Sequence, residues 1–488
     1  MHRKSKHTKA RLLVATGVAA LVGGGLVVAN AGAATTAVPA LATGDTRTVT
    51  QPVLPSGTCQ TLRSGLSMAN GYSSTANETT PPDTARIQAA LDACKSTGKK
   101  VVLAATDSTH KAFLSGPITV HAGEVLVVNA TVTLYGSLNA ANYQVSGKPT
   151  CGTLSSSEGG CSPLITVSGA GAGIEGVQNS AGEQGRIDGR GEDPILGTST
   201  TWWGLATAAQ TAGSNQNNPR LIQTNSSNDF TLYDIDLLNS ANFHVVFNGG
   251  SGITAWGVRI KTPATARNTD GIDPAGATNV TIANSYIQDG DDGIAIKGGS
   301  KASSNITVRN NHFYGTHGIS IGSETYSGVT NVLVSGNTVT GTDSAGNVSS
   351  SSTGLRIKSS AASGGKVSRI TYNANCLTAV KAPLVFDTHY SSGTGSYTPY
   401  FTDIVINGLK STSTVSGGKS TLVGLNATYP LGLTLENVSL DTTAFTASYA
   451  AVGLYNSNLT PTGTGVTTST VAGSGSVPSC TFPSYPTL

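Results

Sequence analysis

Apolar and polar residues alternate along the middle of the chain in short blocks, and the blocks recur. Asn279-Val280-Thr281-Ile282, Asn305-Ile306-Thr307-Val308 and Asn331-Val332-Leu333-Val334 begin 26 residues apart, and Ile287, Phe313 and Val339 keep the same interval. Alternation over a few residues predicts short strands with one buried face. A unit of this length, stacked many times, predicts an all-β solenoid, the parallel β-helix, in which each coil buries its apolar face with its neighbours. Weaker copies begin at Phe230 and Ile253 upstream and at Ile370 and Ile404 downstream. The asparagines at equal positions are expected to stack in the turns, a structural role.

The period changes near the start of the repeat. Residues 81–94 read PPDTARIQAALDAC, where Ile87, Leu91 and Cys94 form an i, i+4, i+7 stripe behind Asp83 as N-cap. A solenoid needs its first coil covered, so this helix is predicted to be an N-terminal cap. Residues 34–58 carry no period and are read as a loose linker; residues 411–420 and the tail beyond Thr460 are read as loops. One β-helix domain is expected over 59–488.

The first 33 residues read differently. A basic start (Arg3, Lys4, Lys6, Lys9, Arg11), an apolar run from Leu12 to Val28 and small residues at Ala29, Ala31 and Ala33 predict a secretory signal peptide, cleaved after Ala31 or Ala33. This changes the charge picture. Five of the 29 basic residues lie in that stretch, which leaves 24 against 26 acidic residues, a net charge of −2. No basic patch survives to attract nucleic acid, and no later run approaches the ~18 apolar residues of a membrane span. A secreted, extracellular, soluble monomer is expected. With 11% charged residues, a charge-driven disordered chain and a coiled coil are excluded. Six cysteines at 59, 94, 151, 161, 376 and 480 predict three disulfides in an exported chain. By order and proximity the pairs are Cys59–Cys94, Cys151–Cys161 and Cys376–Cys480.

The repeat also aligns chemistry. Asp270-Gly271-Ile272, Asp292-Gly293-Ile294 and His317-Gly318-Ile319 follow one another at 22 and 25 residues, about one coil each, and Thr353-Gly354-Leu355 continues the series. Neighbouring strands lie ~4.8 Å apart, so Asp270, Asp292 and His317 should form one column with Asp291 beside it. Like charges held so close raise one another's pKa, which suits acid/base chemistry: one carboxyl donates a proton while an ionised neighbour activates water. Two other readings stay open. Asp-Gly is a common turn pair and its stacking can be conformational. Asp270, Asp273, Asp289, Asp291 and Asp292 are also hard calcium ligands, although His317 in the column argues against that use. Strict alternation would turn Asp292 inward with Ile294, so a bend at Gly293 is required. One coil on, Arg356 and Lys358 flank Ile357 and should project to one face. Such a pair suits an anionic substrate, since guanidinium grips carboxylate bidentately; the bland alternative is that it neutralises the aspartates.

These residues resemble the family-28 glycoside hydrolases, the polygalacturonases. The motifs that carry the resemblance are NTD at 268–270, GDD at 290–292, Gly315-Thr316-His317-Gly318 in place of a contiguous GHG, and RIK at 356–358. It extends to the cap helix, to IDGRG at 187–191 with Trp202-Trp203, and to NPRLI at 218–222. Gly293 stands where the family usually has a cysteine. The resemblance implies a right-handed parallel β-helix that hydrolyses α-1,4 galacturonosidic bonds of pectin with inversion, without metal or organic cofactor. It implies Asp291 as general acid, Asp270 and Asp292 as the groups that hold and activate water, and His317 as the residue that tunes the acid. Arg356 and Lys358 would bind substrate carboxylates, Asn268 would orient groups at the cleft, and Tyr390 would contact the sugar. Trp202-Trp203 is read as packing. Endo action is favoured over exo action and over hydrolysis of rhamnogalacturonan. From other classes, a calcium-dependent pectate lyase and a non-catalytic polysaccharide-binding β-helix are the rivals.

Overall fold

The computed structural model describes residues 39–68 and 71–488. The expected signal peptide, and the start of the expected linker, lie outside them. Each coil of the parallel β-helix carries up to three short strands. Eleven parallel strands, from Ile118–His121 to Phe445–Ser448, form one face, the cleft sheet. The other two faces follow the sequence repeat. On one, Val280, Ile306, Val332, Ile370 and Ile404 pair in succession; on the other, Ile287, Phe313, Val339 and Leu377 do so. The two faces merge where the long strands Lys366–Thr378 and Tyr400–Thr412 run through both. The inward residues of all three faces stack into one continuous core, in which Val280, Ile287, Ile294, Ile306 and Phe313 are fully buried. Burial of each such side chain contributes roughly 1.5–3 kcal/mol.

The asparagine expectation needs correction. Asn279, Asn305 and Asn331 stand inside strands, at φ of 51°, 57° and 56°, a left-handed kink that asparagine tolerates. Asn331 does donate to Asn305 Oδ1 (2.8 Å). The buried ladder runs instead through Asn311, Asn337 and Asn375, whose side-chain amides link at 3.1 and 3.0 Å and cap strand carbonyls on the way.

The helix Thr84–Cys94 buries Ile87, Ala90, Leu91 and Cys94 against the first strands, Thr58–Arg63, Lys99–Ala104 and Ile118–His121. Asp83 occupies the N-cap position without capping through its side chain. Its carboxylate accepts from Arg86 Nε (2.6 Å) and from the Leu114 amide (2.7 Å), tying the helix to a strand. Among the described residues, two further α-helices were not anticipated, Thr75–Thr79 and Trp202–Ala212. The longer one is capped by Thr201, which accepts from Gly204 N–H, and ends at Gly213 at φ 60°. Trp202 is fully buried, edge-on to Tyr143, and the Trp203 indole donates to Ser240 O (2.9 Å), so both tryptophans pack.

The loose linker is a strap. Residues 39–57 form no strand, yet they run back along the solenoid. Ala42 donates to Thr371, Thr43 to Asn331, Asp45 to Thr307 and Thr46 to Asn279. Arg47 then reaches Ile253 O and Gln51 reaches Tyr233. The tail, read as loops, first adds the strand Thr467–Thr470, parallel to Ala450–Ser457, and then straps as well: Ser474 O accepts from Asn437, Pro483 O from Tyr314, and the Tyr485 hydroxyl donates to Ile260 O. Periodicity is blind to both, because an irregular strap supplies backbone partners rather than a face. The disulfides are Cys59–Cys94, Cys151–Cys161 and Cys376–Cys480, as expected.

Candidate active site

The column forms as its spacing predicts. In the cleft sheet Ile272, Ile294, Ile319 and Leu355 are successive partners, so the residues just before them gather at one edge of neighbouring strands. Asp292 escapes the inward parity because it lies in a bend ahead of the strand Ile294–Ile296. Gly293 makes that bend possible: a Cβ there would stand 2.6 Å from the Phe313 ring. Gly318, at φ 88°, turns the chain after His317.

All eight residues singled out in the sequence line one cleft of about 300 Å³: Asn268, Asp270, Asp291, Asp292, His317, Arg356, Lys358 and Tyr390. Asp292 is its hub. Its Oδ1 accepts from Arg356 Nη1 (3.2 Å) and Ser320 Oγ (2.6 Å), and its Oδ2 from Lys358 Nζ (2.7 Å). Asp291 is held at its amide, its carbonyl and Oδ1. Its amide donates to Asp289 Oδ1 (2.9 Å), its carbonyl accepts from His317 N–H (2.6 Å), and its Oδ1 accepts from the Asp292 amide (3.0 Å) and pairs with His317 Nδ1 (2.9 Å). That leaves Oδ2 for a ligand. The Tyr390 ring centroid lies 5.0 Å from both Arg356 Cζ and Lys358 Nζ, a cation–π contact with each. Asn268, at φ 56°, accepts from Gln216 Nε2 (3.2 Å).

The environments drive the carboxyls apart. Burial, then the charges of Asp273, Asp291 and Asp292, pushes Asp270 well above the usual carboxylate range. Burial does the same to Asp289. Burial would also raise Asp291, but the His317 bond and the charges of His317, Lys358 and Arg356 outweigh it and hold this carboxyl low. Asp292 is likewise held low against burial by Lys358 and Arg356. These shifts favour a proton on Asp270 or Asp289 over one on Asp291, the residue expected as the acid.

The metal reading can be weighed on the same contacts. Asp291, Asp292 and His317 place donor atoms within 4.8 Å of one another, the one such group of three among the described residues. Two cations already occupy both oxygens of Asp292, however, and Asp273 pairs with Lys297 (3.2 Å), so the five aspartates do not converge as a calcium site.

Sequence reasoning missed several cleft residues. Ser320 pairs in register with Arg356 on the cleft sheet and completes the shell of Asp292. A serine in a strand carries no signal of its own, but its place beside the Arg356 position did. Lys297, Arg267 and Gln210 also line the cleft, the last from the unforeseen helix. Beneath the NTD motif lies His244, fully buried, its pKa pushed down by burial to about 4. Its Nδ1 faces Thr269 O and Asp270 O (3.1 Å each), so Nδ1 carries the hydrogen and Nε2 accepts from Thr262 Oγ1 (2.9 Å).

Comparison with known proteins points the same way. Residues 98–458 match the family described as Glycosyl hydrolases family 28. A polygalacturonase of Ralstonia solanacearum is 40% identical over 447 residues, covering 82% of each chain. An endo-polygalacturonase of Pectobacterium carotovorum subsp. carotovorum is 41% identical over 399 residues, covering 81% of this chain and 90% of that one. The solved polygalacturonase of Erwinia carotovora ssp. carotovora superposes with a TM-score of 0.71 at 36% identity, covering 86% of this chain and all of the other. The fold is thus a right-handed parallel β-helix, and the chain belongs to the family-28 glycoside hydrolases.

Proposed function

We propose that this enzyme is a secreted, monomeric polygalacturonase that cuts α-1,4 bonds within pectin chains and inverts the anomeric carbon. The observation that carries the reading is the cleft: adjacent carboxylates, one tied to a histidine and the other to two cations. The cations suit a uronate. Relatives named polygalacturonase and endo-polygalacturonase at about 40% identity support substrate and mode. Three disulfides suit an oxidising compartment.

The chemistry follows from the protonation pattern. Asp292, ionised, takes a proton from water as the water oxygen attacks the anomeric carbon. Asp270, protonated, holds that water by hydrogen bonding. The glycosidic bond breaks as its oxygen takes a proton from Asp291 Oδ2. Asp291 must be loaded first, and substrate supplies the means. His317 depresses its pKa most, and Lys358 and Arg356, which would bind the sugar carboxylate, add to that; an anion on these two cations cancels their share of the field and raises Asp291. His317, fixed to Oδ1, keeps Oδ2 aimed. Asn268 orients groups at the cleft edge, and Tyr390 packs on the sugar.

Product chemistry tests this reading. Purified enzyme on polygalacturonate with chelator present should release reducing ends without the ultraviolet absorbance of unsaturated uronides. Absorbance that disappears with chelator would make it a lyase, and silence in both would favour a binding solenoid.

A further inference from the structure

Tyrosines dominate the large apolar side chains left in water on the C-terminal half of the solenoid. Tyr326, Tyr390, Tyr397 and Tyr429 are 41%, 43%, 46% and 39% exposed. Tyr390 belongs to the cleft. Tyr326 and Tyr397 stack on one another instead, with ring centroids 5.2 Å apart and planes 30° from parallel. Both sit a few residues from cleft-lining positions. Ser323 lines the cleft three residues before Tyr326, and Tyr390 lines it in the segment that leads to Tyr397. The backbone fixes the pair: Tyr397 N–H donates to Ala361 O (3.1 Å), and Thr325 N–H donates to Ser363 O (2.8 Å). At Gly365 a Cβ would stand 2.9 Å from the Tyr326 Cα. Next to that glycine, Lys366 is exposed and opens a strand paired with Tyr400.

An exposed aromatic pair on segments that also carry the cleft-lining Ser323 and Tyr390 has a specific chemical complement. A pyranose presents an apolar C–H face and polar edges, and a tyrosine offers an apolar body with a polar tip. Exposed apolar patches of this kind mark binding surfaces. We propose that Tyr326 and Tyr397 form a second sugar-binding platform outside the cleft, which holds the same polyuronate chain beyond the Arg356–Lys358 side of the scissile bond. The inference rests on the proposed pectin substrate. A chain gripped at the cleft meets the platform at high effective concentration, so the platform adds affinity for long chains alone.

The test compares Y326A/Y397A, Y326F/Y397F and wild type on long polygalacturonate and on trigalacturonate, which occupies the sugars around the scissile bond and little beyond. For the alanine pair, KM on the long chain should rise about tenfold, the loss of two stacking contacts, with kcat unchanged. Both constants on trigalacturonate should stay within twofold. The phenylalanine pair, which keeps the rings, should match wild type on both substrates. Equal losses on long and short substrates would overturn the platform, as would an unchanged long-chain KM. If wild type turned over neither substrate, the pectin reading itself would fall and the platform with it.

Discussion

The tripeptide Arg-Ile-Lys occurs twice in this chain, at 259–261 and 356–358, and the two copies do opposite things. In the first, Arg259 is saturated. Its Nε and Nη2 bind both oxygens of Asp236 (2.6 and 3.0 Å), its Nη1 donates to Gly182 O (3.0 Å), and Lys261 lies over the Tyr485 ring of the tail. In the second, Arg356 and Lys358 share one carboxylate, and Arg356 Nε is buried without a partner. The first copy is a closed joint between coils; the second keeps donor capacity in reserve at a cleft. The tripeptide alone therefore carries no function. Its column does: Arg356 falls beside Ser320, one coil beyond His317, whereas Arg259 falls beside Asp236 on a flank.

Substitution should separate the two copies. The largest effect expected is on turnover: Arg356→Ala should lower kcat/KM at least a hundredfold with little change in melting temperature. Arg259→Ala should do the reverse, costing about 3–5 kcal/mol of stability by stranding the buried Asp236 and leaving kcat of the folded enzyme intact. Urea melts and steady-state rates on both variants check this, and a matching pattern in the two would erase the contrast. Next in size, Lys358→Met should raise KM about tenfold or more on de-esterified substrate, while Lys261→Met should not. An equal loss for Lys358→Met on fully methyl-esterified pectin would count against a carboxylate contact.

The pH dependence sharpens the comparison further. The acid must be protonated to act, and Asp291 is held low first by His317 and then by Lys358 and Arg356, whose charges substrate would neutralise. The alkaline limb of kcat, which reports the complex, should therefore lie at higher pH than that of kcat/KM, which reports the free enzyme. Coincident limbs would mean that substrate leaves the field on Asp291 unchanged. Asp289 gives the smallest effect. Its folded pKa is raised above the unfolded value, so its contribution to stability falls as pH rises from near 4 through the folded value. Asp289→Asn should then be more stable than wild type at pH 7 and equal to it at pH 3, as thermal melts would show.

Much of this was legible before any coordinates. The 22- and 25-residue steps from Asp270 to His317 placed a column because parallel strands impose their own spacing, and pairing by order and proximity picked Cys151–Cys161 out of fifteen possible connectivities. What escaped was aperiodic. The strap of residues 39–57 binds through backbone and hydroxyl groups, for which Thr43 or Thr46 gives no pattern. The helix Trp202–Ala212 hid behind a paired tryptophan read for its rings, although Thr201 and Gly213 bracket it and Trp202, Leu205, Ala206 and Ala209 form its buried stripe. The direction in which Asp291 is shifted was out of reach as well, since it depends on the His317 bond and on cations 65 and 67 residues further along the chain.

The most direct measurement is turnover and polygalacturonate binding by Asp291→Asn at the same pH. Loss of the proton donor with the cleft otherwise intact predicts a fall in kcat of about a thousandfold with binding retained. Turnover near the wild-type rate would remove Asp291 from the reaction and contradict the assignment at the centre of this account.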